Sequence, residues 1–216
     1  SRDDLGDRMG PNNLVFGWKN RSAAIAFRSR MVSPNDFIGQ LYTVGLDAEL
    51  PKQLPVPRGG FLSFSPDDTK MAFNRIFREF RTWKHYQGGM ADDVWIIDLK
   101  TGALENISNH EAQDIIPMWA PNQKIYYISE RDGRFNLFSY DLASKQTKQH
   151  TTFKDFDIKF PSIGQGGIVF EQAGYVWHFD LATERARQVP IIVREDLAVA
   201  RGGVVAATRN LSRVRP

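Results

Sequence analysis

The amino-acid sequence predicts an all-β protein, a β-propeller of four four-stranded blades cut from a larger ring. Two observations carry this. A six-residue pattern recurs as Leu41–Leu46, Val94–Leu99, Leu137–Leu142 and Val176–Leu181: apolar, aromatic, two mostly apolar or small residues, usually Asp, then Leu. The copies start about 53, 43 and 39 residues apart, which is the spacing of propeller blades. Almost no segment holds the helical apolar period, which argues against helical repeats and α/β folds.

Each copy reads as the third strand of a blade. An apolar second strand precedes it, at Ala23–Phe27, Lys70–Phe73, Lys124–Ile128 and Gly167–Phe170. Before that comes a reversal of turn-forming residues, Lys19-Asn20, Ser65-Pro66-Asp67-Asp68, Pro121-Asn122 or Gly164-Gln165-Gly166. A turn such as Lys100-Thr101-Gly102 follows each copy and leads into a more polar outermost strand, for example Ala103–Ile107 or Thr147–Thr151. The blades are expected over residues 12–56, 60–108, 113–152 and 156–192, with 193–216 closing or leaving the ring. A twisted sheet cannot cover both its faces alone, so blades stack around an axis and the inner strands read as apolar. Common propellers have more than four blades, so about two more are expected before Ser1.

At 216 residues, 42% hydrophobic and 12% aromatic, the chain can bury a substantial core. The charge of +3 arises from 28 basic against 25 acidic residues, too small a surplus to imply nucleic acid as a partner. No apolar run is long enough to span a membrane and residues 1–10 are polar, so neither a span nor a signal peptide is expected. Cysteine is absent, which removes disulfides and thiolate metal sites, and the four histidines have no metal-ligand spacing, so no metal or cofactor is expected. A cytoplasmic location is favoured, with a periplasmic or exported one left open.

Four stretches carry a family resemblance. SPDDTKMAF, from Ser65 to Phe73, resembles the SPDGxxIAF signature of propellers in Tol-system translocation proteins, prolyl oligopeptidases and tricorn proteases (the WD40-like PD40 repeat). WKHYQGGMADDVWIIDL (Trp83–Leu99), KIYYISERDG (Lys124–Gly133) and FKDFDIKFPS (Phe153–Ser162) resemble segments of the tricorn-type serine proteases of peptidase family S41. The resemblance implies the third to sixth blades of a six-bladed propeller in a large, oligomeric peptidase. Its seven-bladed propeller, PDZ domain and serine catalytic domain would lie elsewhere in that protein. Partners would then be peptide substrates or products and the remaining domains, and this segment would hold no catalytic residue.

The long insertions between second and third strands, Arg28–Gln40 and Asn74–Asp93, are expected to share one face with residues 1–12, while the loops at Arg131–Arg134 and Ala173–Gly174 are tight. The larger insertion interleaves Arg75, Arg78, Arg81 and Lys84 with aromatic residues that include Trp83, a composition suited to a peptide end or a docking domain. The same aromatics would also anchor the loop on its blade while the charges stay solvated. The resemblance adds Arg8, within Asp7-Arg8-Met9, as a contact for a substrate carboxylate, although Asp7 departs from the family's arginine there. Two other functions fit a propeller: a stand-alone scaffold for protein or peptide partners, like the Tol-system protein, and a polysaccharide lyase or hydrolase, which the scattered histidines and lack of paired carboxylates disfavour.

Overall fold

The computed structural model describes residues 13–32, 38–47, 50–77 and 85–192. Within them every regular element is a strand. The first sheet contains β1 (Leu14–Trp18), β2 (Ala24–Ser29), β3 (Gln40–Gly45) and β4 (Lys52–Gln53), and the second β5 (Leu62–Phe64), β6 (Lys70–Asn74), β7 (Val94–Asp98) and β8 (Leu104–Asn106). The third holds β9 (Asp114–Trp119), β10 (Lys124–Ser129), β11 (Asn136–Asp141) and β12 (Thr147–Gln149). The fourth holds β13 (Ile158–Ile163), β14 (Gly167–Gln172), β15 (Tyr175–Asp180) and β16 (Arg185–Gln188). All four are antiparallel meanders in chain order, and the first strand of each sheet neighbours the first strand of the next. The predicted all-β propeller architecture is therefore observed.

Side-chain alternation explains why the sheets stack. On β10, Ile125 and Tyr127 enter the seam with the second blade, beside Val94, Trp119 and Phe138. Their neighbours Tyr126 and Ile128 enter the opposite seam, beside Ile158, Phe170 and Phe179 of the fourth blade. All four β10 side chains are fully buried. Leu41, Phe64, Met71 and Ile97 fill the seam between the first two blades. In β14, Ile168 and Phe170 face the third blade, while Val169 between them is 44% exposed.

The recurrent Asp of the sequence pattern has a structural cause. Asp98, Asp141 and Asp180 end their strands and each accepts two backbone N–H bonds from the turn that follows, as from Ala143 (3.0 Å) and Ser144 (2.8 Å) to Asp141. These bonds hold all three carboxyls below their ordinary pKa. In the first blade Gly45 occupies that position.

Two boundaries differ from the sequence reading. Arg28 and Ser29 are strand residues paired with Leu41 and Gln40, so the first insertion begins only after Ser29. Asn74 likewise pairs with Val94 as the last residue of β6. Residues 1–12, 193–216 and much of both insertions lie outside the described residues. No described helix is long and apolar enough to cross a membrane.

Covered on both sides, β10 should tolerate truncation poorly. Ile125→Ala is expected to cost about 2–5 kcal/mol in equilibrium urea unfolding, against less than about 0.5 kcal/mol for Val169→Ala. Equal losses would refute two-sided burial as the source of stability.

Candidate functional site

The innermost strand of every blade carries one irregularity at the same height. In β9, Ile116 and Pro117 together oppose Tyr127, and in β13 Phe160 and Pro161 oppose Phe170. In β1 Phe16 is the extra residue. Ahead of β5, Gly60 and Phe61 share Asn74, which accepts from Gly60 N–H at 2.7 Å and donates to the Phe61 carbonyl at 2.9 Å. Such bulges turn side chains away from the ladder. Here Val15, Phe16, Phe61, Leu62, Ile116, Pro117, Phe160 and Pro161 line an open cavity of about 320 Å³ on the axis, with Ser63, Met118, Ser162 and Ile163. None of these side chains carries a charge. Ile116 (φ 58°) and Phe160 (φ 49°) are left-handed, a strained state for a β-branched or bulky residue that the surroundings hold in place. The Ile116 N–H, freed by the bulge, donates to Asn74 Oδ1 at 3.0 Å, while Asn74 Nδ2 donates to the carbonyls of Asp93 and Asp114, each at 2.9 Å. Asn74 thus ties the second blade to the channel wall of the third.

Buried carboxylates fix the described ends of the larger insertion. Asp92 accepts the backbone N–H groups of Arg75 (3.1 Å) and Ile76 (3.3 Å), and Glu130 accepts that of His85 (3.1 Å) and the Gln113 amide (3.2 Å). Burial pushes Asp92 well above the usual carboxylate range. Asp114, fully buried, pairs with Arg131 at 2.9 Å, and its pKa is also raised by burial against the pull of Arg131. Phe77 packs against Phe16 and Phe61, with ring centroids 6.0 and 5.1 Å away, so here an aromatic of the insertion does anchor it, directly behind the channel wall.

Of the residues singled out from sequence, Arg75 is described; Arg8, Arg78, Arg81, Trp83 and Lys84 lie outside the described residues. The Arg75 guanidinium stacks over Trp95 at 4.9 Å, with its Nε buried and without a hydrogen-bond partner. Among the described residues no group of three or more His, Asp or Glu could hold a metal.

One arrangement has no motif to betray it. Ser139 Oγ lies 2.8 Å from His150 Nε2, whose Nδ1 faces Glu184 at 3.9 Å, the connectivity of a hydrolase triad. Ser139 is 2% exposed and the His150 side chain 1%, with the His150 ring between Tyr126 and Phe179, so no substrate carbonyl can reach this hydroxyl. Glu184 instead receives Lys124 and Lys148 and so joins the third and fourth blades. These two lysines pull Glu184 down to about 2, while burial lowers His150 to about 4.

An acid-sensitive seam follows. Between its ordinary pKa near 6.5 and about 4, His150 is protonated in the unfolded chain and neutral in the folded one, so stability drops as pH falls through that window. The loss approaches roughly 3 kcal/mol. Asp92 and Asp114, with raised pKa values, act in the opposite sense. The test is therefore the difference between wild type and His150→Gln: wild-type unfolding free energy should fall relative to the variant between pH 6.5 and 4, and parallel profiles would contradict the assignment. Glu184 adds its own loss only below its ordinary value, toward pH 2.

The model of the tricorn protease N-terminal beta propeller domain matches residues 8–185. The chain belongs to this family. A tricorn protease homolog of Saccharolobus solfataricus is 25% identical over 169 residues, covering 78% of this chain and 15% of that protein. The tricorn protease of Thermoplasma acidophilum is 28% identical over 127 residues, 57% of this chain and 11% of that one. The crystal structure of the tricorn protease superposes with a TM-score of 0.74 at 25% identity, over 88% of this tricorn-family chain and 18% of the solved one. TolB from Acinetobacter baumannii, with a TM-score of 0.65 and 19% identity over 82% of this chain and 43% of its own, shares the fold. The chain thus spans less than a fifth of the tricorn relatives' length.

Proposed function

We propose that this tricorn-family propeller is a non-catalytic module that gates or positions peptide substrates and products for a serine peptidase domain elsewhere in its parent protein. The observation that carries this reading is the axial cavity. Its wall mixes apolar side chains with uncharged polar groups, so an extended peptide can lie along it with side chains and backbone in contact and no ion pair to trap it. The packing supports the same reading: Asn74 holds the Ile116 bulge of the wall, and rings pack behind it. The half-covered face of β14, with Val169, is where a further blade of the parent protein would pack.

Photo-crosslinking tests the reading on this chain. With p-benzoylphenylalanine replacing Phe160, an extended tagged peptide should be captured. The same group replacing Leu104, which is equally open to solvent on an outer strand, should capture little. Equal capture at both positions would refute the channel. Peptide hydrolysis by the chain, blocked by a serine-directed fluorophosphonate, would refute the non-catalytic role.

A further inference from the structure

Beside the axial cavity, at the seam of the first two blades, lies a second and smaller pocket of about 90 Å³, lined by Arg28, Arg58 and Arg75. Strand pairing and loop closure bring the three together from β2, from the link between blades and from the start of the larger insertion. Arg28 is only 6% exposed. Its Nε donates to the Gly59 carbonyl at 3.1 Å and its guanidinium lies 5.2 Å from the Phe77 ring centroid. Gly39 permits this placement, because a Cβ there would overlap the guanidinium. Burial and the neighbouring Arg30 both lower the Arg28 pKa, a sign that the cation sits in an unfavourable field.

Buried cations are ordinarily paired, because an uncompensated one costs several kcal/mol of lost hydration. Among the described residues no carboxylate lies within ion-pair distance of Arg28, Arg58 or Arg75. Asp92, on the same insertion, accepts the backbone N–H groups of Arg75 and Ile76. Burial raises the Asp92 pKa well above its ordinary value, against the pull of Arg75. The Arg75 Nε, buried and unpartnered, adds an unused donor.

We propose that this pocket binds a carboxylate carried by a peptide, held by Arg58 and Arg75 with Arg28 as the buried cation beneath. At about 90 Å³ the pocket has room for a carboxylate. Guanidinium groups hold its two oxygens in a fork. The remaining lining includes Ile38, Ile76, Phe77 and Met90, an apolar rim for the carbon chain that bears the acid. Phe77 touches both this pocket and, through Phe16 and Phe61, the channel wall, so a peptide anchored here would be held next to the axial cavity.

The pocket is independent of the crosslinking at Phe160, and either can fail without the other. Calorimetric titration of the chain with N-acetyl-Ala-Ala-Phe as the free acid, as its C-terminal amide, and as an amide with glutamate in place of the central alanine distinguishes a terminal from a side-chain carboxylate. Binding of either acid-bearing peptide, with at least tenfold weaker binding of the plain amide, is expected. Arg58→Gln and Arg75→Gln, at positions partly open to solvent, should each weaken that binding about tenfold while leaving the melting temperature within a few degrees. Gly39→Ala should weaken it by displacing Arg28. Equal affinity for acid and plain amide, unchanged affinity in both arginine variants, or inorganic phosphate displacing the peptide better than acetate would overturn the proposal.

Discussion

Everything in this molecule depends on sheets packing face against face. A single four-stranded antiparallel sheet is too small to be stable with both faces wet, and the third blade escapes that fate because β10 and β11 are covered on both sides. Tyr126 and Tyr127, adjacent in sequence, show the logic most directly: they point to opposite seams and both are fully buried. The energetic weight of the fold therefore sits between blades, while the hydrogen-bonded ladders within each blade mainly set register.

Face packing also dictates where function can reside. Stacked sheets must converge at their first strands, and the bulges at Phe16, Phe61, Ile116-Pro117 and Phe160-Pro161 turn that convergence into a wall with an uncharged lining. The Ile116 N–H that the third-blade bulge frees is recovered inside the protein by Asn74. On the loop-rich side, buried carboxylates hold the described ends of the larger insertion, so the arginines at its base are positioned by the scaffold rather than by the loop itself.

Much of this was legible in the sequence. The third strands announced themselves because burial on both faces demands apolar residues throughout, and because the Asp that closes each hairpin is chemically specific. The Ile-Pro and Phe-Pro pairs were visible too, yet a bulge has no composition of its own, and a left-handed isoleucine runs against local preference. Arg28 was read as a loop residue because a charge at a strand end looks like a boundary; pairing with Leu41 and the room left by Gly39 keep it inside. Arg58, flanked by Pro57 and Gly59, looks like an ordinary turn residue, and only the closure of the first blade onto the second brings it to Arg28 and Arg75. Ser139 on β11 and His150 just after β12 meet within the third blade, and Glu184 reaches them only across the seam with the fourth.

Residue-resolved hydrogen exchange measures the central claim most directly, because it reads the stability of each ladder in place. If face-to-face burial governs the fold, the amides shared by β10 and β11 should exchange slowest of all, and those shared by β15 and β16 in the half-covered fourth blade at least about tenfold faster. Equal protection of these two ladders would show that the blades are stable individually and contradict the account.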